Sequence, residues 1–411
     1  MSGGTPQEAL RRRHLGAVLR EVHLSGPVSR AALAARLGLN RSTIMALTRE
    51  LAAGGLVVEE PTRGTGRAGR PSLLVSPAAD RAHVLAFDVG VDWLAAARVG
   101  LGGVVLDRRW TVRRRKYPDL DDVVTVLAGF ARELDAAAPP GTVRVGAGAA
   151  FCGMIRPRDG MVRLAPNMGW ADQAFGVELG RRLGLSAPVP VGNEAHLGAL
   201  AEHVRGAGAG HRNVVYLHGD VGIGGGVIVG GRLLDGDGGY GAEAGHMVVN
   251  PHGGRPCNCG SRGCLEAEVG EAALLEAAGR RGPAGREGVR AVVTAAARGD
   301  PAARRAVRRA GDWLGVGVAN LINLFNPGVV IFGGMLRELY PAASAQVSAR
   351  VAANVLAVSR ERVRLAVSAL GDDATLVGAA ELAFSRVLTD PLDVLAPAAA
   401  EGGRRAGQEV R

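Results

Sequence analysis

Two segments of the chain share one pattern, in which an apolar strand runs into Asp-Val-Gly and a second strand follows. The segments are VLAFDVGVDWLAAARV and VVYLHGDVGIGGGVIVGG, and their aspartates, Asp88 and Asp220, lie 132 residues apart. Such a duplication predicts two related lobes with a cleft between them. Glycine at each turn would let backbone N–H groups approach a phosphate, so the two turns could face one nucleotide. Taken singly, each turn is more often an ordinary hairpin.

Composition is typical of a globular protein with more than one domain. The chain has 411 residues, 47% of them hydrophobic, and residues 82–388 alternate apolar strands with Ala-rich helices. The net charge of +10 is uneven, because residues 1–75 carry 11 Arg against 5 Glu, and the first aromatic residue is Phe87. We therefore predict a small basic helical domain over residues 1–78, a boundary near residues 76–82, and a larger α/β domain after it.

The basic front segment predicts a helix-turn-helix. Ser29 can cap a first helix that Gly38 ends, and Asn40 can cap a second helix that Gly54 and Gly55 end. The apolar residues of the two helices recur at helical spacing: Leu33, Leu37, Ile44, Leu47 and Leu51. The alternative is a helical protein-interaction module with a solvated charged face. The turn glycine, the apolar register and a basic segment downstream favour DNA binding.

Flanking segments complete a winged helix. An upstream apolar stripe predicts a third helix: Leu10, Leu15, Val18, Leu19 and Val22. Downstream, LVVEE and SLLVS predict two strands around a wing, PTRGTGRAGRP. Five residues of the second helix would then face the major groove: Arg41, Ser42, Thr43, Ala46 and Arg49. On the wing, Arg67 and Arg70 would contact phosphates or enter the minor groove.

Three of the four cysteines lie within eight positions of the segment GHMVVNPHGGRPCNCGSRGCLE. No apolar run suits a signal peptide or a membrane span, so we expect a cytoplasmic protein with no membrane partner, in a compartment whose reductants oppose disulfides. Zinc takes thiolate and imidazole ligands in a tetrahedron, and four candidates are present: His246, Cys257, Cys259 and Cys264. A filled set predicts a structural zinc. The alternative is a loop of free thiols.

Polar residues interrupt the apolar background of the larger domain at six positions: Asn167, Asn193, Glu194, Glu243, His246 and Glu266. Amides, carboxylates and an imidazole suit a polyhydroxylated ligand, because each sugar hydroxyl both donates and accepts hydrogen bonds. Spacing alone does not bring these residues together. The alternative is that Glu194 and Glu266 are surface or helix-capping charges.

These motifs occur in the order and spacing of the ROK family, and the chain resembles that family over nearly its whole length. The family name joins repressors, open reading frames and sugar kinases. The matching segments are GRAGRPS, FDVG, APNMGW, NEAHLGALAE, GDVGIGGGVIVGGRLL, GAEAGHMVVNPHGGRPCNCGSRGCLE, NLINLFNPGVVIFGG and ATLVGAAELA. The resemblance implies a two-lobed, actin-like ATPase fold of the sugar-kinase type. Lobe 1 would span about 82–190 plus a helix at 373–388, and lobe 2 about 191–372.

The resemblance also implies site roles. It implies a structural zinc on the His/Cys set and a sugar bound by the six polar residues, with His246 touching zinc through one ring nitrogen and sugar through the other. The predicted N-terminal winged helix resembles that of the family's sugar-responsive transcriptional regulators, and the resemblance implies the same role here.

The chain departs from the family's kinases at the phosphate-binding turns. The first turn of the kinases reads Asp-x-Gly-Gly-Thr, and this chain has Val91 and Asp92 in place of the second Gly and the Thr. Their second turn reads Gly-Thr-Gly-x-Gly, and here Asp220 and Val221 replace the first Gly and the Thr. An added carboxylate opposes a polyanion, and each missing hydroxyl removes a donor. Glu194 stands where the family has its catalytic Asp, and its extra methylene moves the carboxylate by about 1 Å, which costs about a hundredfold in rate. We therefore expect no enzyme activity.

The sequence thus predicts a regulator, in the first place a repressor of carbohydrate uptake or catabolism genes. It would be a homodimer or homotetramer that binds double-stranded operator DNA and responds to a small-molecule sugar. Two alternatives remain: an ATP-dependent hexose kinase with an added DNA-binding domain, and a regulator that answers to a phosphotransfer protein. Residues 389–411 are predicted to be a disordered tail.

Overall fold

Three helices and a small sheet form the N-terminal part of the protein. The computed structural model describes residues 6–61, 73–113, 118–280 and 285–391. The elements of this part are α1 Pro6–Ser25, β1 Val28–Ser29, α2 Arg30–Leu37, α3 Arg41–Ala53, β2 Val57–Pro61 and β3 Leu73–Pro77. The two predicted wing strands pair antiparallel, from Val57 opposite Pro77 to Pro61 opposite Leu73. Strand β1 adds a third, unpredicted strand beside β3. The predicted winged helix is confirmed.

Local capping chemistry sets the ends of α2 and α3. The Ser29 hydroxyl accepts a hydrogen bond from the N–H of Ala32 at 3.1 Å, and the Asn40 side-chain oxygen accepts one from the N–H of Thr43 at 2.7 Å. Gly38 ends α2 with φ 64°, a left-handed conformation that glycine adopts without steric cost. The two helices therefore keep the three-residue turn that the sequence predicts.

The apolar stripe of α1 packs on α3 with one exception. Leu15, Leu19 and Val22 are fully buried, but Leu10 is 47% exposed, so its inclusion in the stripe was wrong. At about 100° per residue, Leu10 lies about 180° around the helix from Leu19. Its side chain therefore faces solvent.

Two five-stranded sheets with one shared topology dominate the rest of the described chain. Their strands are β4 Ala82–Val89, β5 Trp93–Gly100, β6 Val104–Val112, β7 Val143–Phe151, β11 Val191–Asn193, β12 Val214–Gly219, β13 Ile223–Val229, β14 Arg232–Leu233, β15 Val329–Gly334 and β16 Arg364–Val367. The first sheet has the order β11-β7-β4-β5-β6 and the second β16-β15-β12-β13-β14. Each joins an antiparallel meander to two parallel strands. The β4–β5 and β12–β13 turns are the two Asp-Val-Gly segments, and the predicted duplication is confirmed.

Helices cover these sheets, and a small sheet extends the first lobe. The helices are α4 Leu120–Ala136, α5 Phe175–Arg182, α6 Glu194–Arg205, α7 Leu265–Val269, α8 Glu271–Ala277, α9 Arg286–Ala297, α10 Pro301–Phe325, α11 Leu336–Asn354, α12 Ala357–Arg360 and α13 Ala374–Thr389. The small sheet consists of β8 Met154–Arg156, β9 Met161–Ala165 and β10 Trp170–Gln173. Helix α13 packs against β4 and β7, α6 packs against β12 and β13, and the two helices pack against each other. They form the layer between the two sheets.

One buried core crosses the predicted domain boundary. Leu19 of α1, Val84 of β4 and Phe384 of α13 belong to the same apolar cluster. The boundary near residues 76–82 falls between β3 and β4, and β11 extends the first sheet to Asn193, just past the predicted end of lobe 1. The domain limits stay predictions.

The predicted tail is only partly described. Thr389 still belongs to α13, and residues 392–411 lie outside the described residues. Within the described residues, no helix combines the length and the apolar character that crossing a membrane requires.

Candidate functional site

The candidate metal centre lies on one loop of the second lobe. Its first ligand ends a short 3-10 turn and its last ligand precedes α7, so two regular elements hold the ends of the loop: His246, Cys257, Cys259 and Cys264. The loop closes on itself tightly at Gly263, where φ is 72° and a Cβ would lie 1.9 Å from the carbonyl oxygen of Asn250. Only glycine fits there.

The geometry of these four side chains suits a tetrahedral metal. Their ligand atoms all lie within 4.8 Å of one another. The sulfurs of Cys259 and Cys264 are 3.7 Å apart, and the sulfur of Cys257 is 3.7 Å from Nδ1 of His246. Two sulfurs at about 2.3 Å from a central zinc stand about 3.8 Å apart in a tetrahedron. The described residues therefore form a His/Cys cluster of the size that zinc requires.

Glu266 joins this loop to the second glycine turn. Its Oε2 accepts a hydrogen bond from the N–H of Ile223 at 3.0 Å, and its Oε1 lies 3.7 Å from the sulfur of Cys257. A Cβ on Gly222 would lie 2.0 Å from Oε2, so the glycine leaves room for the carboxylate. The metal loop and the turn that follows β12 are thus tied through one side chain.

Asn193 and Glu194 lie where β11 passes into α6. The side-chain oxygen of Asn193 caps α6 by accepting from the N–H groups of Ala195 and His196, at 2.9 and 3.1 Å. Its amide donates to the carbonyl oxygen of Gly153 at 3.0 Å. Asn193 therefore has one amide hydrogen left for a ligand, while its main role in this structure is to set the start of the helix that bears Glu194.

Carboxyl groups from both lobes surround Glu194. Burial first, and then the negative charges of Asp220, Asp88, Glu266 and Glu243, raise the pKa of Glu194 well above its usual value. Burial also raises the pKa of Asp88, to about 7. A raised pKa favours the protonated carboxyl, which can donate as well as accept a hydrogen bond, and this suits sugar hydroxyls. The neighbouring carboxyls that stay ionised would repel a polyanion.

Glu243, His246 and Asn167 lie around this cluster. Burial raises the pKa of Glu243, although His246 and His196 lower it in part. Asn167 lies on a 3-10 turn of the first lobe, and its side-chain oxygen accepts a hydrogen bond from the amide of Asn258 at 3.1 Å. Asn258 stands between two of the cysteines, so Asn167 reaches the metal loop across the cleft. That the six polar residues bind sugar stays a prediction.

Trp93 is a cleft residue that sequence reasoning missed. A Cβ on Gly90 would lie 2.2 Å from Nε1 of Trp93, so the indole lies directly against the first glycine turn. The same Nε1 donates to Oδ2 of Asp220 at 3.4 Å and thereby bridges the two turns. Arg113 holds the first turn as well, by donating to the carbonyl oxygen of Gly90 at 2.8 Å. Nothing local in DVGVDW indicates this fold-back.

A cavity of about 600 Å³ adjoins these turns. Its lining brings together Trp93, Asp220 and residues of both lobes, and it includes the indole of Trp110, which is 65% exposed. The indole of Trp93 lines this cavity and lies against Gly90 of the first turn.

The predicted DNA-facing residues of α3 lie on its outer surface. Arg41, Ser42, Ala46 and Arg49 are exposed and Thr43 is partly buried. The buried side of the helix carries the predicted core residues Ile44, Leu47 and Leu51. Arg67 and Arg70 lie outside the described residues. The DNA contacts themselves stay predictions.

Known proteins resemble both parts of the chain. The ROK family matches residues 84–386 and the MarR family matches residues 16–68. A xylose repressor of Bacillus subtilis is 28% identical over 373 residues, which are 90% of this chain and 94% of that protein. A glucokinase of Streptomyces coelicolor is 35% identical over 269 residues, 59% of this chain and 80% of that protein.

A solved structure also matches the whole architecture. The crystal structure of a ROK family transcriptional regulator, a homolog of the E. coli Mlc protein, has a TM-score of 0.77 and 26% identity and covers 94% of this chain and 99% of its own. Because the family match spans well over half of the sequence, the protein belongs to the ROK family.

Proposed function

We propose that the protein is a sugar-responsive DNA-binding transcriptional regulator that represses genes of carbohydrate uptake or catabolism. The observation that carries the proposal is a winged helix joined by one continuous core to a cleft of carboxyl groups with raised pKa values. Relatives named as a xylose repressor and as a homolog of Mlc support it. In this proposal a sugar in the cleft weakens binding to the operator.

The effector in this proposal is a neutral sugar. Its hydroxyls would meet the six predicted residues: Asn167, Asn193, Glu194, Glu243, His246 and Glu266. Protonated carboxyls both donate and accept hydrogen bonds and so match the hydroxyls of a sugar, while the carboxylates that stay ionised disfavour a phosphorylated ligand. Closure of the two lobes around the sugar would shift the population toward a conformer with a different placement of the winged helix.

The His/Cys cluster is proposed to hold a structural zinc ion. Four protein ligands leave no open position for a hydrolytic water. A bound zinc would supply only rigidity, by fixing the loop that carries His246 and the thiolate beside Glu266. His246 and Glu266 are among the predicted sugar contacts, so the metal would shape the sugar site.

Operator binding is proposed to require two or more copies of the chain. Helix-turn-helix proteins read half-sites about 34 Å apart, which a homodimer or homotetramer can span. A protein that binds operator DNA works in the compartment that holds the DNA, so the proposal keeps the cytoplasmic location.

The rival function is hexose phosphorylation, which the relatives named as glucokinases favour. Against it, the indole of Trp93 lies against the first turn, and Asp92 and Asp220 stand where the family's kinases bind phosphate. Glu194 at the position of the catalytic Asp adds a misplaced base. We therefore propose that the cleft binds sugar without transferring phosphate.

Substitutions on α3 test the DNA interface. We expect Arg41→Ala and Arg49→Ala each to weaken binding to an operator selected from random duplexes about tenfold. Each should also reduce the slope of affinity against salt by about 1, because one arginine no longer neutralises a phosphate. Arg212→Ala removes the same charge from an exposed position between α6 and β12 and should change neither quantity. Fluorescence anisotropy across salt concentrations measures both. Equal weakening in all three variants would refute the assigned interface.

The metal assignment is tested by zinc content. Wild-type protein and Cys152→Ser, in which the cysteine outside the cluster is replaced, should carry about one zinc per chain by elemental analysis. Cys259→Ser should lose the metal, together with the rise in melting temperature that a bound sugar causes, because the loop of His246 and Glu266 would no longer be held. A metal-free variant with unchanged sugar affinity would disprove this role.

Nucleotide binding and turnover test the rival function. Across pentoses, hexoses and amino sugars, ATP-dependent phosphorylation should be at least about a hundredfold below the turnover of about 10 s⁻¹ that is typical of enzymes. Trp93→Ala should bind the ATP analogue AMPPNP more tightly than wild type by calorimetry, because the turn is uncovered. Trp110→Ala removes an indole from the rim of the same cavity and should not. Wild-type turnover at ordinary enzyme rates would mean that the rival is correct.

A further inference from the structure

A buried polar network ties the DNA-binding part to the central layer of the protein. His23 of α1 is fully buried, and its Nε2 donates to the carboxylate of Glu381 on α13 at 3.0 Å. Its Nδ1 accepts a hydrogen bond from the N–H of Gly102, in the turn between β5 and β6, at 3.0 Å. Arg205, the last residue of α6, donates to Glu381 at 2.7 Å and to the carbonyl oxygen of His23 at 3.2 Å. Three separate elements thus hold one histidine of α1.

The network contains one ion pair, between Arg205 and Glu381, and Nη2 of Arg205 also lies 2.6 Å from Nε2 of His23. Because Gly102 donates to Nδ1, the ring proton lies on Nε2 and points at Glu381. Burial alone would raise the pKa of Glu381, but hydrogen bonds from His23 and Arg205 and the positive charge of Arg205 outweigh it and lower the pKa below its usual value. The guanidinium of Arg205 lies against Gly103, where φ is 76° and a Cβ would lie 2.2 Å from Nε. Gly103 therefore leaves the space that the guanidinium of Arg205 occupies.

One helix connects this network to the candidate sugar site. Helix α6 begins at Glu194 and ends at Arg205, 12 residues and about 18 Å later. Its backbone is closely packed on both sides, because a Cβ on Gly226 of β13 would lie 2.4 Å from the carbonyl oxygen of Ala195, and one on Gly378 of α13 would lie 2.1 Å from that of Leu197. A helix held this tightly moves as a rigid body, so a shift at Glu194 reaches Arg205.

The other end of the connection reaches the recognition helix. His23 is on the same helix as Leu15, Val18 and Leu19, which share one buried cluster with Ile44 of α3. A displacement of α1 therefore carries α3 with it, and α3 bears the residues predicted to face the major groove.

We infer that Arg205 is a positioning residue through which helix α6 conveys sugar binding at Glu194 to the DNA-binding helices. The inference rests on the proposed function and adds the route by which the sugar site controls operator binding. Removal of Arg205 leaves Glu194 and the exposed face of α3 in place, so both ligands still bind but stop influencing each other. Coupling of this kind is reciprocal, because the factor by which sugar weakens operator binding equals the factor by which operator weakens sugar binding.

The matched control is another ion pair of the same interface. Arg12 of α1 donates to Asp390, just past α13, at 2.7 Å. This pair also joins α1 to the C-terminal end of α13, but α6 takes no part in it. Arg12→Ala removes one arginine from the α1–α13 interface without touching the route through α6.

The test measures coupling in full-length protein. A panel of pentoses, hexoses and amino sugars, which includes D-xylose and D-glucose, is first screened for the sugar that most raises the wild-type melting temperature. Operator affinity is then measured by anisotropy with and without that sugar. Sugar affinity is measured by calorimetry with and without operator. Wild type and Arg12→Ala should show a coupling factor of about ten or more. Arg205→Ala should show a factor near 1, with sugar affinity and sugar-free operator affinity within about threefold of wild type.

A milder variant guards against a failure to fold. Arg205→Lys keeps a positive charge beside Glu381 but lacks the fork that also reaches the carbonyl oxygen of His23, so it should fold and show a reduced coupling factor. Two outcomes would overturn the route while leaving the proposed function intact. One is a wild-type coupling factor in both Arg205 variants, and the other is a loss of coupling in Arg12→Ala as large as that in Arg205→Ala. A wild-type protein whose operator affinity no sugar of the panel changes would overturn both.

Discussion

The close packing of α6 and α13 between the two sheets is the constraint on which the other features depend. Both helices approach their neighbours at glycines, among them Gly226 and Gly378, so the backbones are separated by little more than van der Waals distance. Interiors packed this closely transmit displacement instead of absorbing it. The start of α6 carries Glu194, its end carries Arg205, and α13 forms the base on which α1 rests. The layer formed by α6 and α13 thus contacts the cleft at one end and the winged helix at the other.

The chemistry of the cleft follows from burial and charge. Burial, and then the charge of the neighbouring carboxylates, raise the pKa of Glu194, and such a site favours neutral hydroxyls over phosphates. The first glycine turn, which could have approached a phosphate, is covered by Trp93. The His/Cys loop lies beside the cleft and is connected to it through Glu266. In the proposed function, the fold keeps a sugar site while Trp93 covers the first glycine turn.

Sequence reasoning succeeded where the determining contacts are local. Helix caps act over three residues, as Asn40 does, and the His/Cys ligands fall within one loop, so spacing alone predicted their structure. It failed where the position of a side chain depends on a contact with a residue far away in the sequence. The bond from Trp93 to Asp220 spans 127 residues and that from His23 to Glu381 spans 358, and no local pattern marks either partner. The convergence of carboxyls around Glu194 was likewise implied only by family resemblance.

The most direct test of the account is the affinity of wild-type, zinc-loaded protein for its operator in the presence of sugars and the absence of nucleotide. The measurement is an anisotropy titration at fixed salt across pentoses, hexoses and amino sugars, because protein–DNA affinity depends steeply on salt. The account predicts that at least one neutral sugar lowers operator affinity about tenfold or more while remaining unphosphorylated. An operator affinity that no sugar changes, or that changes only when ATP is present and the sugar is phosphorylated, would contradict it.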